Sequence, residues 1–198
     1  MRPKLAFVLG NGKSRLQVNH KILQQHGPIY GCNALYREFT PNYLVAVDPR
    51  MVKEIARTGY QLSNKVYTNY SRSYDDIEGL NYLEPMRGWS SGPSAIWLAA
   101  QQNYREIYLI GFDFIGINGK INNVYAGTPN YKLENEEAIF YRNWVKQILI
   151  VLREYPKIKF LRVGTPDSYV PVEYINFKNF SSYDVTKFYN FFESNPTV

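Results

Sequence analysis

Leu5-Ala6-Phe7-Val8-Leu9-Gly10-Asn11-Gly12-Lys13-Ser14 is the stretch that decides the fold. Five apolar residues in a row read as a strand buried on both faces, the habit of parallel sheets. Two glycines follow, almost without side-chain bulk. From Ser14 to Gln25, Leu16, Val18, Ile22 and Leu23 recur at helical spacing and predict a helix. A strand, a glycine turn and a helix start bring free backbone N–H groups and a positive dipole end to one point. Gly10, Asn11, Gly12 and Ser14 are therefore expected to bind a phosphate or another anion. The same residues also fit a plain strand-to-helix turn with Ser14 as its cap. Neither standard glycine fingerprint is present: position 15 is Arg where the dinucleotide motif has Gly, and one residue separates two glycines that the P-loop spaces further apart.

Outward from this stretch, the pattern repeats. Strands are expected at Leu5–Leu9, Ile29–Cys32, Tyr43–Val47, Lys65–Thr68, Glu106–Ile110 and Lys159–Val163. Helices are expected at Ser14–Gln25, Arg50–Arg57, Gly92–Gln102 and Glu136–Tyr155. In the last, Tyr141, Trp144, Val145, Ile148, Leu149 and Leu152 form one apolar stripe, and Pro156 stops it. The alternation predicts an α/β fold: a mostly parallel sheet with helices on both faces, whose ligands bind beyond the carboxyl ends of the strands. Asn33, Asp48, Asn69 and Gly111-Phe112-Asp113-Phe114 all stand just past strands. Small or polar residues are ordinary in such loops, but Asn and Asp can also hold a ribose hydroxyl or a base edge.

The 198 residues fit one domain, 1–198, with a sizeable core. Within it, 116–132 has no periodic pattern and reads as a lid or binding loop, or as an ordinary hairpin insertion. The segment 174–198 is rich in Phe, Tyr and Asn and reads as an aromatic tail packed back on the domain. Lys plus Arg exceed Asp plus Glu by 23 to 17. That excess suits an anionic ligand, but the basic residues are scattered, which argues against a nucleic-acid surface. The single Cys32 excludes an internal disulfide and a cysteine-rich metal site, and suggests a reducing, cytoplasmic setting. No apolar run approaches a membrane span, and the run after Met1-Arg2-Pro3-Lys4 is too short for a signal peptide. Eighteen tyrosines fit a wet cleft lined by sugars or bases, or a bias of composition.

Other constellations carry two readings each. Ser90-Ser91-Gly92 opens an apolar helix; it is either a capped start or a close ligand approach allowed by Gly92. Ser91 is not read as a nucleophile, because it lacks the Gly-x-Ser-x-Gly elbow and a histidine partner. Asp48 can cap the following helix or, with Asp113, hold Mg²⁺ on a diphosphate. Asn122-Asn123 is polar enough to meet sugar hydroxyls. Asp75-Asp76 reads as a solvated turn, and His20 and His26 as surface or helix-end residues. No cluster has transition-metal spacing.

Four segments together resemble the bacterial sialyltransferases that use CMP-sialic acid to decorate lipo-oligosaccharides, and the related Rossmann-like proteins. Leu9 to Ser14 is similar to that family's Gly-Asn-Gly-x-Ser turn. Gly31-Cys32-Asn33-Ala34-Leu35-Tyr36 is similar to its Arg-Cys-Asn-x-x-Tyr segment. Ser90 to Ala95 resembles its Thr-Ser-Gly helix start, and Glu106 to Phe114 its Glu-Ile-Tyr-Leu-x-Gly-x-Asp-Phe strand. The resemblance spans residues 5–165. It implies a single Rossmann-like domain and a nucleotide-sugar donor, a CMP-sugar by preference, with a glycan or small-molecule acceptor. It implies phosphate and ribose contacts at Gly10, Asn11, Gly12 and Ser14, and a nucleoside held by Asn33, Ser91, Gly92, Gly111, Phe112 and Asp113. Tyr125 and Tyr131 are the nearest matches to tyrosines that bond the leaving phosphate.

The family's general base is a histidine just before the helix leading to the last strand. Ala138-Ile139-Phe140-Tyr141-Arg142-Asn143 holds none. Asp113, Glu136 or Glu84 could serve if burial raised its pKa. The expected function is glycosyl transfer with Asp113, Tyr125 and Tyr131 as catalytic candidates and no required cofactor. The alternatives are a Mg²⁺-dependent diphosphotransferase of the pterin diphosphokinase type and a non-catalytic nucleotide-binding protein.

Overall fold

The structure is a computed structural model that describes residues 5–138 and 141–194. Met1–Lys4, Ile139, Phe140 and the last four residues of the tail lie outside the described residues. Eight strands form one sheet: β1 (Leu5–Leu9), β2 (Ile29–Cys32), β3 (Tyr43–Val45), β4 (Val66–Thr68), β5 (Leu80–Tyr82), β6 (Glu106–Ile110), β7 (Lys159–Gly164) and β8 (Phe180–Asp184). Their order is β5-β4-β3-β2-β1-β6-β7-β8, and every pairing is parallel. Five helices connect and cover them: α1 (His20–His26), α2 (Pro49–Thr58), α3 (Ser91–Ala100), α4 (Arg142–Glu154) and α5 (Val185–Ser194). This is the expected α/β architecture.

The run Leu5–Leu9 explains why both faces must be covered. Ala6 and Val8 enter the core under α3 and α4. Phe7 and Leu9 enter the core under α1, α2 and α5. Successive side chains of a strand point to opposite faces, so an unbroken apolar run demands apolar partners on each. Phe7 stacks on Tyr108 with ring centroids 5.6 Å apart, and Phe188 and Phe192 of α5 close over both. Most tyrosines serve this kind of packing rather than a cleft. The buried Tyr30 and Tyr104 hydroxyls bond each other at 3.1 Å, and Tyr174 donates to the Val145 carbonyl at 2.9 Å. A buried phenol is stable where its polar tip finds a partner.

Four elements depart from the sequence expectation. The helix expected over Ser14–Gln25 is split into a single-turn 3-10 segment, Lys13–Gln17, and α1. Asn19 breaks it: its side chain accepts from the Lys21 N–H and starts a new helix, and Val18 is extended. Leu16 is consequently turned outward, 71% exposed, while Arg15 turns inward at 4%. α4 begins at Arg142 rather than Glu136, and residues 139 and 140 of the expected span are outside the described residues. β5 and β8 were not legible: one is three residues long, and the other is half polar. The tail thus supplies an edge strand and a helix, not merely an aromatic cover.

The chain moves outward from β1 to β5 and then returns to lay β6 on β1's other side. The reversal leaves a crevice at the carboxyl ends of β1 and β6. Phe188→Ala should lower unfolding free energy by about 3–5 kcal/mol in a urea titration, the range for emptying a buried aromatic site. A loss under about 1 kcal/mol would mean that α5 only rests on the sheet.

Candidate functional site

Leu9 pairs with Ile110, so Gly10 and Gly111 leave the sheet side by side. Their loops are packed as closely as backbone allows. A Cβ on Gly10 would lie 2.6 Å from the Gly111 carbonyl oxygen, and one on Gly12 would lie 2.4 Å from Asp113 Oδ2. The Phe112 ring rests between Gly10 and Gly92, with ring carbons 3.2 Å from where either Cβ would stand. The glycines of the opening motif therefore make room for the loop after β6.

That packing consumes the amides expected to hold an anion. The Gly10 N–H donates to the Ile110 carbonyl at 2.8 Å and the Gly12 N–H to Gly111 at 2.9 Å. Lys13 N–H donates to Asn122 Oδ1 at 2.9 Å, and Arg15 N–H to the Gly12 carbonyl at 3.1 Å. Ser14 gives Asp113 both its N–H, at 3.2 Å, and its hydroxyl proton. In this bend only the Asn11 N–H has no hydrogen-bond partner among the described residues. The segment that follows is one 3-10 turn, too short to carry a useful dipole. The expectation of a free amide cluster at Gly10–Ser14 is thus corrected: a protein carboxylate, Asp113, already occupies the amide end. Unpaired helix amides occur instead at α3, where Ser90 makes no side-chain cap and the Ser91 and Gly92 N–H groups have no partner among the described residues.

A cavity of about 530 Å³ opens at this point. Its wall brings together Gly10, Asn11, Gly12, Asn33, Asp48, Ser91, Gly92, Gly111, Phe112, Asp113 and Tyr131, residues drawn from six separate segments. Ser14 and Tyr125 do not line it. Ser14 is spent on Asp113. Tyr125 is 7% exposed, and its hydroxyl lies between Arg15, at 3.1 Å, and Glu38. Burial holds its phenol well above the ordinary tyrosine range. Asp48 accepts from the Arg50 and Met51 N–H groups, so it caps α2 while facing the cavity.

Asn33 is the most constrained of these residues. Its φ is +52°, in the left-handed region that asparagine tolerates better than most residues. The Ser91 hydroxyl accepts from Val47 N–H at 3.0 Å and donates to Asn33 Oδ1 at 2.7 Å. The carboxamide is thereby oriented, and its NH₂ is left to donate into the cavity. Asn11 is held from both ends: Arg15 donates to its oxygen at 3.5 Å, and its nitrogen donates to the Tyr131 hydroxyl at 3.2 Å. Ala34 N–H also donates to Tyr131, at 3.4 Å. Burial raises the Tyr131 phenol above its ordinary value, so at neutral pH it keeps its proton. Burial likewise pushes the Cys32 thiol up to about 12, which leaves no thiolate nucleophile there.

The loop 116–132 forms one side of the cavity through Asn122, Asn123, Asn130 and Tyr131. It is tied down at its middle and toward its carboxyl end. Val124 N–H donates to the Asn11 carbonyl at 2.8 Å. Toward the carboxyl end Arg37 grips Glu54 through two hydrogen bonds, of 2.8 and 2.7 Å, and reaches Thr128 and the Pro129 carbonyl. Asn130 adds a bond to Glu54 at 2.6 Å.

Two wall residues, Tyr141 and Trp144, were legible only as part of a core stripe. The stripe runs past the edge of the sheet at its amino-terminal turn, and nothing in the periodicity marks where cover ends. Of the base candidates, Glu84 and Glu136 do not line the cavity; Glu136 accepts from Leu133 N–H at 2.7 Å. Neither histidine lines it. His20 packs on Phe39, with ring centroids 4.5 Å apart, and burial lowers its pKa. His26 meets the Phe192 carbonyl at 3.1 Å.

No family model matches the sequence, and neither does any curated protein. Solved structures do share its fold. The chain is similar to the sialyltransferase CstII from Campylobacter jejuni in complex with a substrate analogue, cytidine-5'-monophosphate, with a TM-score of 0.57 and 17% identity over 85% of this chain and 82% of that one. It is also similar to the sialyltransferase CST-II in complex with a trisaccharide acceptor and CMP, with a TM-score of 0.53 and 16% identity over 83% and 82% of the two chains.

Two stability measurements check the geometry. Gly92→Ala should stabilise a Phe112→Ala background by about 0.5–1 kcal/mol through helix propensity, and should gain nothing or cost stability in the wild-type chain, where the ring blocks the methyl. Equal effects in both backgrounds would show that the ring does not rest on Gly92. For Glu54, burial alone would raise the pKa, but bonds from Tyr36 and Arg37 outweigh it and the net shift is downward. A lowered carboxylate contributes stability above its unfolded value of 4.5, and that contribution is lost as pH falls through the folded value. The Tm advantage of wild type over Glu54→Gln should therefore be present near neutral pH and shrink as pH falls below 4.5. An advantage that grows on acidification would contradict the network.

Proposed function

We propose that this chain binds a nucleotide-activated sugar, with a CMP-sugar favoured, and transfers the glycosyl group to an acceptor hydroxyl. One observation carries the reading. Asparagine carboxamides, aromatic rings and the start of α3 converge on one cavity at the β1–β6 crevice, whose charged side chains are Asp48, Asp113 and Lys132. Carboxamides and aromatic faces suit a base and sugar hydroxyls. A wall so sparing of cations suits a donor with one phosphate better than a metal-free di- or triphosphate. The solved sialyltransferases of like fold, crystallised with CMP, support the same choice.

In this reading Asn33, fixed by Ser91, donates to the nucleoside. The Asn11, Ser91 and Gly92 amides face the phosphate, with Gly10, Gly12, Gly111 and Phe112 shaping the floor. The acceptor oxygen attacks the anomeric carbon, and the nucleotide departs with the electrons of the broken C–O bond. Tyr131, still protonated, donates to the departing phosphate. Asp113 takes the acceptor proton, its carboxylate aimed by Ser14. Tyr125 and Ser14 act by holding other groups in place. No metal is required for this step.

A second reading has its own observation, since Asp48 and Asp113 line the same cavity. With phosphate oxygens and water they could hold Mg²⁺ for diphosphate transfer. Thermal shift decides between them. CMP alone should raise Tm, and Asn33→Asp, which keeps the turn and the Ser91 bond but removes the donor, should abolish at least nine-tenths of the shift. An undiminished shift in that variant removes Asn33 from the site. A response to nucleoside triphosphate that appears only with Mg²⁺ favours the second reading. A CMP shift with no transfer from any CMP-sugar would make the protein a binder, consistent with both histidines lying outside the cavity.

A further inference from the structure

We propose that Tyr141 and Trp144, on the first turn of α4, form a platform for a pyranose ring of the acceptor. This rests on the transferase reading of the same cavity and names the part that the reading leaves open. The two rings are three residues apart, on one helix face, with centroids 5.1 Å apart and planes at 58°. Both line the cavity and both are only partly buried. Farther along the stripe, Val145, Ile148 and Leu152 are buried in the core, and Leu149 is partly buried against it rather than against the cavity. α4 runs back against the strand direction, so its first turn overhangs the carboxyl edge of the sheet, where there is no strand to cover.

The Tyr141 ring is packed against the Trp144 ring, so the two present one aromatic surface. The Trp144 indole N–H has no hydrogen-bond partner among the described residues. An aromatic face with a free N–H at its rim matches one side of a pyranose, where C–H groups form an apolar patch and hydroxyls lie around the edge. Asn122 and Asn123 on the same wall supply further donors and acceptors.

Position selects the acceptor over the donor sugar. The nucleoside contacts assigned above lie at Asn33, just past β2, and at Ser91, the first residue of α3. Tyr141 instead lies close enough to Asp113 for its charge to add to the burial that raises the phenol pKa. Asp113 is the proposed proton acceptor, and the attacking hydroxyl must stand beside it. A sugar on the Tyr141–Trp144 face is held where that hydroxyl is needed.

The experiment uses the full chain and methyl pyranosides of the gluco, galacto and N-acetylglucosamine series, each titrated by saturation-transfer NMR with CMP present. At least one should bind, with transfer strongest to the C–H protons of one ring face. Trp144→Ala should weaken it at least tenfold, and Trp144→Phe, which keeps an aromatic face, should recover part of the loss. The CMP thermal shift of each variant reports that the cavity is intact. Binding unchanged in Trp144→Ala, or no pyranoside bound by a wild-type chain that binds CMP, would overturn the platform. A chain that binds pyranosides through Trp144 but ignores CMP keeps the platform and loses the donor reading. A chain that binds neither loses both.

Discussion

The structure depends on how closely the loops after β1 and β6 approach each other. Two parallel strands that pair to their last residue deliver their exits to the same place. Those exits can cross only if side chains are missing where the backbones meet. Gly10, Gly12 and Gly111 meet that condition, and Phe112 and Asp113 exploit it. The ring plugs the gap between the first loop and α3, and the carboxylate binds Ser14. Three segments distant in sequence become one floor.

Beneath that floor, Arg15 stands where a dinucleotide motif has its third glycine, and instead of allowing close packing it ties the bend to its neighbours. It is buried, paired with Glu38 and bonded to Tyr125, with its guanidinium 5.2 Å from the Tyr125 ring centroid. Taking a guanidinium out of water is costly unless its donors are satisfied. The carboxylate, the phenol and the Asn11 oxygen satisfy them. The turn is therefore a packed, internally bonded object rather than an open nest of amides, and the cavity lies above it.

The rigidity of the wall follows from the same accounting of polar groups. Asn33 is fixed by Ser91, Ser91 by Val47, and Asn11 by Arg15 and Tyr131. Each bond removes one freedom from a side chain that faces the cavity. Among the described residues of the wall, the donors left unpaired include the Asn33 carboxamide, the Asn11, Ser91 and Gly92 N–H groups and the Trp144 indole. Preorganised donors of this kind bind without first being ordered. Arg162 extends the scheme from below, donating to the Phe112 carbonyl at 3.0 Å from a fully buried position on β7.

Some of this was legible from residue order alone. An unbroken apolar strand such as Leu5–Leu9 requires cover on both faces, and alternation with helical stripes requires a parallel sheet. Strand ends then mark the ligand edge, which is how Asn33, Asp48 and Asp113 could be named. Local patterning carries that much because side-chain period is a property of the nearest neighbours in the chain. It could not show that Asp113 would turn back onto Ser14, that Arg15 would be buried, or that the helix after Gly12 would break at Asn19. Nor could it separate Trp144, at the overhanging turn, from Val145 in the core. The break at Asn19 is local, a side chain capping an N–H two residues on; the other outcomes were set by partners tens of residues away, through a hydrogen bond or a van der Waals contact that exists only once the strands have paired.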